Sequence, residues 1–295
     1  MGKTAMTLEA HIQAYLAYLR DEEKSRNTLS KYEYDLRRFT RFLTEAGGGE
    51  PDKKTVLTGL TKEILRTYKE EITQVYSAVS VNSMLAAVNG FLSFLGLSDL
   101  RLKQLRIQHR TFCGQDEELS REEYGSLLKE AEKKQSPMNL ILRTICATGI
   151  RVGELAHITV EAIRAGRANV LSKGKARQVI IPADLRRILL DHIEKKKLTT
   201  GSVFITRGGK PVHRSNIWRG MKNLGAAAGV AAGKLFPHNL RRLFARTYYN
   251  LAKDIAKLAD LLGHSDVRTT QIYIKSSGLE HERQLNDVKL AWLNP

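Results

Sequence analysis

The sequence predicts a mainly α-helical, two-domain chain with a small antiparallel β-sheet in the C-terminal domain. Three observations predict this. The 295 residues exceed what one compact domain usually holds. In the first third, apolar residues recur three or four apart with almost no strand-type alternation. Alternating segments are confined to the middle of the chain, with helical patterns on both sides.

Taken in order, the first strong helix runs from Thr28 to Leu43, where Leu29, Tyr32, Leu36, Phe39 and Phe42 make one stripe. Its other face carries Lys31, Arg37, Arg38 and Arg41. Gly47, Gly48 and Gly49 end that helix, and Pro51 prevents its return. Further helices fit Thr61–Gln74 and Val79–Leu95, the latter with Val81, Leu85, Val88 and Leu92 along one side. Residues 1–106 thus read as a bundle of about four helices. Between 107 and 118 the pattern fails around a lone Gly114, as in a linker.

The second domain, 119–295, opens on Ser120 and Glu123, which form a capping box, with Leu119 and Tyr124 placed to staple the helix entry. Helical spacing resumes around Leu127 and again from Leu140 to Thr148. Strands fit Ala168–Leu171 and Gln178–Ile181, flanking a hairpin tip from Ser172 to Ala176. A third short strand fits Ser202–Ile205, ahead of a turn at Gly208–Pro211. Helices fill the remainder. The last, about 280–293, aligns Leu285, Val288 and Trp292 on one side.

Charge narrows the function class. Lys and Arg number 48 against 31 Asp and Glu, a formal net charge of +17. A surplus of that size points to a polyanionic partner, since each cation set near a phosphate releases a condensed counterion. A peripheral membrane role would need a basic amphipathic helix with a clean apolar face, and none is visible. There is no signal segment and no apolar run of about 18 residues that could span a bilayer, so a cytoplasmic location is expected. Cys113 and Cys146 have no ligand spacing, which argues against a disulfide framework or a zinc site. Gly2, Lys3 and Thr4 imitate the end of a phosphate-binding loop, but nothing ahead of them supplies its glycine or strand.

The residues that carry chemistry lie in the second domain. Arg151 follows an apolar helix and a glycine turn, in Thr148-Gly149-Ile150-Arg151-Val152-Gly153-Glu154-Leu155. Lys173 stands on the hairpin tip. His238 and Arg241 are three apart on one helix face. His264 follows in Leu261-Leu262-Gly263-His264-Ser265, and Tyr273 comes nine residues later in Thr269-Thr270-Gln271-Ile272-Tyr273. In order, spacing and context this set resembles the R…K…H-x-x-R…H…Y active site of tyrosine site-specific recombinases of the phage-integrase and Xer type. The resemblance covers the whole second domain, and the helical first third looks like that family's core-binding domain. One departure is Arg242, which stands where a histidine often follows the second arginine.

The resemblance implies site-specific recombination through a covalent 3′-phosphotyrosine, with Tyr273 as nucleophile. Physical chemistry agrees with the roles it implies. A phosphodiester gains negative charge on its non-bridging oxygens in the five-coordinate transition state. Arg151 and Arg241 suit that charge, because a guanidinium stays protonated and offers a planar fork of donors. His264 would assist them. A phenol titrates near pH 10, so it needs a base, and His238 is best placed. Lys173, a flexible ammonium on a hairpin tip, suits the general acid for the departing 5′ hydroxyl. Exchanging a phosphodiester for a phosphotyrosyl ester conserves bond energy, so no cofactor, ATP or metal is expected.

The implied partner is double-stranded DNA, held in a C-shaped clamp of two domains. Arg37, Arg38 and Arg41 would serve one side of the duplex. Lys175, Arg177, Arg214, Arg219 and Lys222 would serve the other. Ser80, Asn82 and Ser83 on the third long helix could also meet DNA. The implied assembly is a homotetramer on two DNA sites, coupled by the C-terminal helix. Two other readings are a type IB topoisomerase and a DNA-binding regulator that keeps the fold without the chemistry. Six intact catalytic positions argue against the second.

Overall fold

A computed structural model of the chain describes residues 7–46, 59–107, 118–172 and 175–274. The chain divides into two compact units, Met1–His109 and Arg110–Pro295.

The first unit is built from α1 (Leu8–Asp21), α2 (Arg26–Ala46), α3 (Lys62–Val75) and α4 (Ala78–Phe94), followed by a 3₁₀ turn at Ser98–Leu100. Thr7, Thr61 and Ser77 cap α1, α3 and α4, each accepting a backbone N–H from the first turn. The stripe expected on α2 is buried, with Leu36 and Phe39 meeting Leu65 and Tyr68 of α3 and Val81, Leu85 and Val88 of α4. Two asparagines one heptad apart on α4 hold the segment that leaves the unit. Asn89 exchanges two hydrogen bonds of 2.8 Å with the Leu102 backbone. Asn82 does the same with Leu105, at 2.9 and 2.7 Å. Both ends of the Asn82 amide are therefore engaged with the backbone.

The second unit contains α5 (Arg121–Lys133), α6 (Met138–Thr148), α7 (Val160–Ala165), β1 (Arg167–Ser172), β2 (Lys175–Ile180), α8 (Ala183–Lys195), α9 (Arg214–Ala228), α10 (Pro237–Ala252), α11 (Ile255–Leu262) and α12 (Val267–Ile274). The capping box at Ser120 and Glu123 is complete. Leu119 is fully buried and Tyr124 packs on the same core, as a staple requires. That core also takes Ile141 and Ile145 of α6, Val170 and Val179 of the hairpin, and Leu240 and Leu243 of α10. The strands β1 and β2 are antiparallel, with Ala168 opposite Val179 and Ser172 opposite Lys175.

One expectation is corrected. Residues 202–205 form no strand, and the sheet has two strands among the described residues. Val203 donates to Ile158 O, while Phe204 and Thr206 bond to Val212 and Lys210. Hydrogen bonds shared between two separate neighbours leave only isolated bridges, Thr159 with Ser202 and Ile205 with Pro211. The helix expected at 280–293, most of the linker, the glycines after α2, Cys113 and the hairpin tip with Lys173 lie outside the described residues. Among the described residues no helix is long and apolar enough to cross a membrane.

Candidate active site

Five of the six expected catalytic residues are described, and the fold brings them together. Helix α6 ends at Gly149, whose φ of +62° is the left-handed conformation that glycine tolerates. A Cβ there would stand 2.5 Å from Phe244 and 3.0 Å from Leu262, so the position is also sterically closed. The turn delivers Arg151 to the head of a 3₁₀ helix, Val152–His157. Glu154, one turn on, accepts from the Arg151 backbone N–H at 3.0 Å and from its Nη1 at 2.9 Å.

Arg241 lies at the centre, on α10, and is only 2% exposed. Its Nη1 donates to Gly149 O. Its Nη2 donates to Leu262 O at 2.6 Å and to His264 Nε2 at 3.0 Å. Its Nε is buried without a partner. Burial, then the charge of Arg151, lowers its pKa to about 10, with Tyr273 opposing; it remains a cation at neutral pH.

An acceptor at His264 Nε2 places the ring proton on Nδ1, which donates to the buried Thr270 Oγ1 at 2.8 Å. Burial and the surrounding charges of Arg241, Arg151 and Arg177 push His264 down to about 4. His238 is also lowered, by burial first and then by Arg242, Arg241 and Arg151. The departure at Arg242 thus sets a cation one helical turn from the candidate base. Tyr273, 8% exposed, sits between the two imidazoles. Its ring meets His238 edge-on at 5.0 Å between centroids and His264 at 5.2 Å. Ala245, Leu258 and Leu262 pack behind it.

The carboxyl end of α11 organises much of this. A helix leaves its last carbonyls without intrahelical donors and carries partial negative charge there. Three consecutive carbonyls each receive an arginine: Leu261 O from Arg177 at 2.8 Å, Leu262 O from Arg241, and Gly263 O from Arg151 at 3.4 Å. The arginines converge without repelling one another apart because these dipoles and the Glu154 carboxylate lie between them. Burial disfavours the Glu154 charge, yet hydrogen bonds from Arg151 and the charge of Arg177 outweigh it and hold the carboxyl below its usual range. Glu154 and Thr270 were not singled out by the sequence, because neither shows its partners until the chain is folded.

Arg151, His238, Arg241 and Glu154 line a cleft of about 410 Å³ together with Arg214, His157 and Leu171. Among the cations expected to face DNA, Arg214 and Arg219 are exposed on α9, and Arg41 is exposed on α2. Arg37 pairs with Glu33 on the surface at 2.8 Å. Arg38 lies over the Tyr76 ring at 4.6 Å and donates to its hydroxyl. Lys222 donates to Ala232 O and stands 4.6 Å from the Phe236 ring. The side chain of Lys175 is outside the described residues. Arg177 is a correction: it points inward, its side chain only 12% exposed, and both its Nη groups are engaged.

Comparisons with known proteins find matches to both units of the chain. Residues 117–279 match the phage integrase family, and residues 12–97 match the phage integrase N-terminal SAM-like domain. Tyrosine recombinase XerA of Pyrococcus furiosus is 29% identical over 273 residues, 90% of this chain and 88% of that protein. Tyrosine recombinase XerD of Haemophilus ducreyi is 30% identical over 269 residues, covering 86% of this chain and 88% of its own. The crystal structure of a lambda integrase tetramer bound to a Holliday junction shares the fold, with a TM-score of 0.72 and 18% identity over 92% of this chain and 79% of that one. The chain belongs to the phage integrase family of tyrosine recombinases.

Proposed function

We propose that Tyr273 is the nucleophile with which this enzyme performs site-specific DNA recombination, cleaving and rejoining strands through a 3′-phosphotyrosine. The observation that carries this reading is the phenol ring of Tyr273 set between His238 and His264, beside a buried Arg241 that already bonds to His264. The Tyr273 oxygen bonds to phosphorus as the bond to O5′ breaks. His238, held neutral by burial and by the arginines around it, takes the phenol proton. Lys173 gives a proton to the departing 5′ oxygen.

Arg151 and Arg241 stabilise the charge that develops on the non-bridging oxygens, at about 3 kcal/mol for each preorganised donor. In the arrangement described, His264 Nε2 is occupied as an acceptor, so His264 acts on the phosphate through Arg241. Residues 1–106 serve as the core-binding domain and 119–295 as the catalytic domain, joined by 107–118. The exposed Arg41, Arg214 and Arg219 meet DNA phosphates. The enzyme works in the cytoplasm as a tetramer on two sites, each protomer reaching its neighbour through residues 280–293.

A half-site suicide duplex tests the chemistry, because loss of the short 5′ fragment traps the covalent complex. The intact protein should become linked to the 3′ end, and Tyr273→Phe should not. An undiminished adduct with Tyr273→Phe overturns the reading. Relaxation of plasmids lacking any site would favour a topoisomerase instead.

A further inference from the structure

The geometry points to Arg177 as a positioning residue that joins the β-hairpin to Glu154 and to the end of α11, and so sets where Arg151 and His264 stand. The inference rests on the proposed roles of those two residues. Strand alternation puts Arg177 on the same face of β2 as Val179, which is 2% exposed, while Ala176, Gln178 and Ile180 face out. A cation on an inward face needs partners. Arg177 Nη2 donates to Glu154 Oε2 at 2.5 Å and Nη1 to Leu261 O at 2.8 Å. Its stem lies so close to Gly263, φ +64°, that a Cβ there would be 2.2 Å from Arg177 Cδ. One side chain therefore touches three pieces of the site: the hairpin, the Arg151 clamp and the residue before His264.

The arrangement also settles how tightly Glu154 holds Arg151. Glu154 divides its two oxygens between the two side chains, Oε1 to Arg151 Nη1 and Oε2 to Arg177 Nη2, and Oε2 also accepts the Arg151 backbone N–H. Glu154 thus holds the Arg151 side chain through one terminal nitrogen; the other, Nη2, makes only a long bond of 3.4 Å to Gly263 O and can turn to a phosphate. Without Arg177, Oε2 keeps only the Arg151 backbone N–H and can also take a side-chain N–H of Arg151, giving the bidentate pair that a guanidinium and a carboxylate prefer. Arg151 would then be withdrawn from the phosphate by its own anchor. A lysine at 177 keeps the charge, but its single ammonium lacks the fork that spans Glu154 and Leu261.

The test uses the full chain and duplexes that the protein itself selects from a randomised pool, with a nick added to trap cleavage. Arg177→Met should slow single-turnover cleavage by about a hundredfold, the scale expected when a catalytic group is displaced by about 1 Å. Its Kd for DNA, and the slope of log Kd against log salt, should not change. Adding Glu154→Gln to Arg177→Met should restore part of the rate, because the competing carboxylate charge is gone. A merely structural role would leave the second substitution neutral or harmful.

A wild-type cleavage rate, or no recovery in the double variant, overturns the proposal. So does a salt slope smaller by about 0.9, the signature of a lost phosphate contact. Should Arg177→Met not fold, Arg177→Lys carries the test, and a wild-type rate in folded Arg177→Lys overturns it equally. Tyr273→Phe separates the two readings. If it still forms the adduct, the proposed function fails; if it does not while Arg177→Met cleaves normally, only the role of Arg177 fails.

Discussion

Arg241 donates to His264 Nε2 across 3.0 Å, and this one bond fixes the orientation and tautomer of the histidine and the direction of the guanidinium. The same guanidinium holds the carbonyls of Gly149 and Leu262. Arg241→Lys keeps the charge but cannot reach three acceptors with one ammonium. Cleavage should fall by at least about a hundredfold. Stability should fall by about 1–3 kcal/mol, since buried acceptors lose their donors. Single-turnover cleavage and urea unfolding measure the two effects separately.

His264 gives the fold a dependence on acid. Its pKa is about 4 in the folded chain against 6.5 ordinarily, because burial and then Arg241, Arg151 and Arg177 disfavour its charged form. Below pH 6.5 the unfolded chain takes up a proton that the folded chain refuses until about pH 4. Stability is therefore complete above that window and declines as the pH falls through it. The urea midpoint should drop between those two values, and drop less in His264→Phe. His238 and His192 are also lowered and account for part of the remaining decline.

Gly149 tests whether the turn before Arg151 must be glycine. Its φ is +62°, and a Cβ would collide with Phe244 at 2.5 Å. Gly149→Ala should destabilise the domain by about 1–3 kcal/mol through strain and overpacking. It should also weaken cleavage, because Gly149 O is an acceptor for Arg241. Thermal unfolding with normal stability would show that Phe244 can yield.

The sequence made the helices of this protein legible because each buries a stripe, as α2 does with Leu36 and Phe39. It exposed the candidate site for a different reason: Arg151, Lys173, His238, Arg241, His264 and Tyr273 are each ordinary alone, but their order and spacing resemble one family's active site. Two readings failed where the answer depends on distant neighbours. The apolar run at 203–205 looks like a strand, yet periodicity cannot say that its hydrogen bonds will be divided between Ile158 and Val212. Arg177 looks like a surface cation because hairpins are usually wet. Its place two residues from Val179 was the available signal that it faces inward. Glu154 carried no signal of that kind, since its value comes from Arg177, 23 residues away.

Asn89 should matter to the first unit more than its size suggests. It satisfies both the N–H and the C=O of Leu102 in a buried setting. Asn89→Ala leaves both without a partner and should cost about 1–3 kcal/mol for each group left unsatisfied. Hydrogen exchange at the Leu102 amide should rise in parallel with the loss of urea stability. Asn82→Ala should act more weakly, because Asn82 and Leu105 are only partly buried.

The basic surface can be sorted by what each cation already does. Arg214 is exposed at the start of α9 and lines the cleft that holds Arg151 and Arg241. Lys222, on the same helix, is tied to Ala232 O and the Phe236 ring. Each phosphate contact contributes about 0.9 to the slope of log K against log salt on duplex DNA. Arg214→Ala should lower that slope by about one such contact, whereas Lys222→Ala should leave it nearly unchanged. Equal effects from the two would mean that DNA draws Lys222 away from Ala232, and that a cation's partners in the free protein do not predict its partners on DNA.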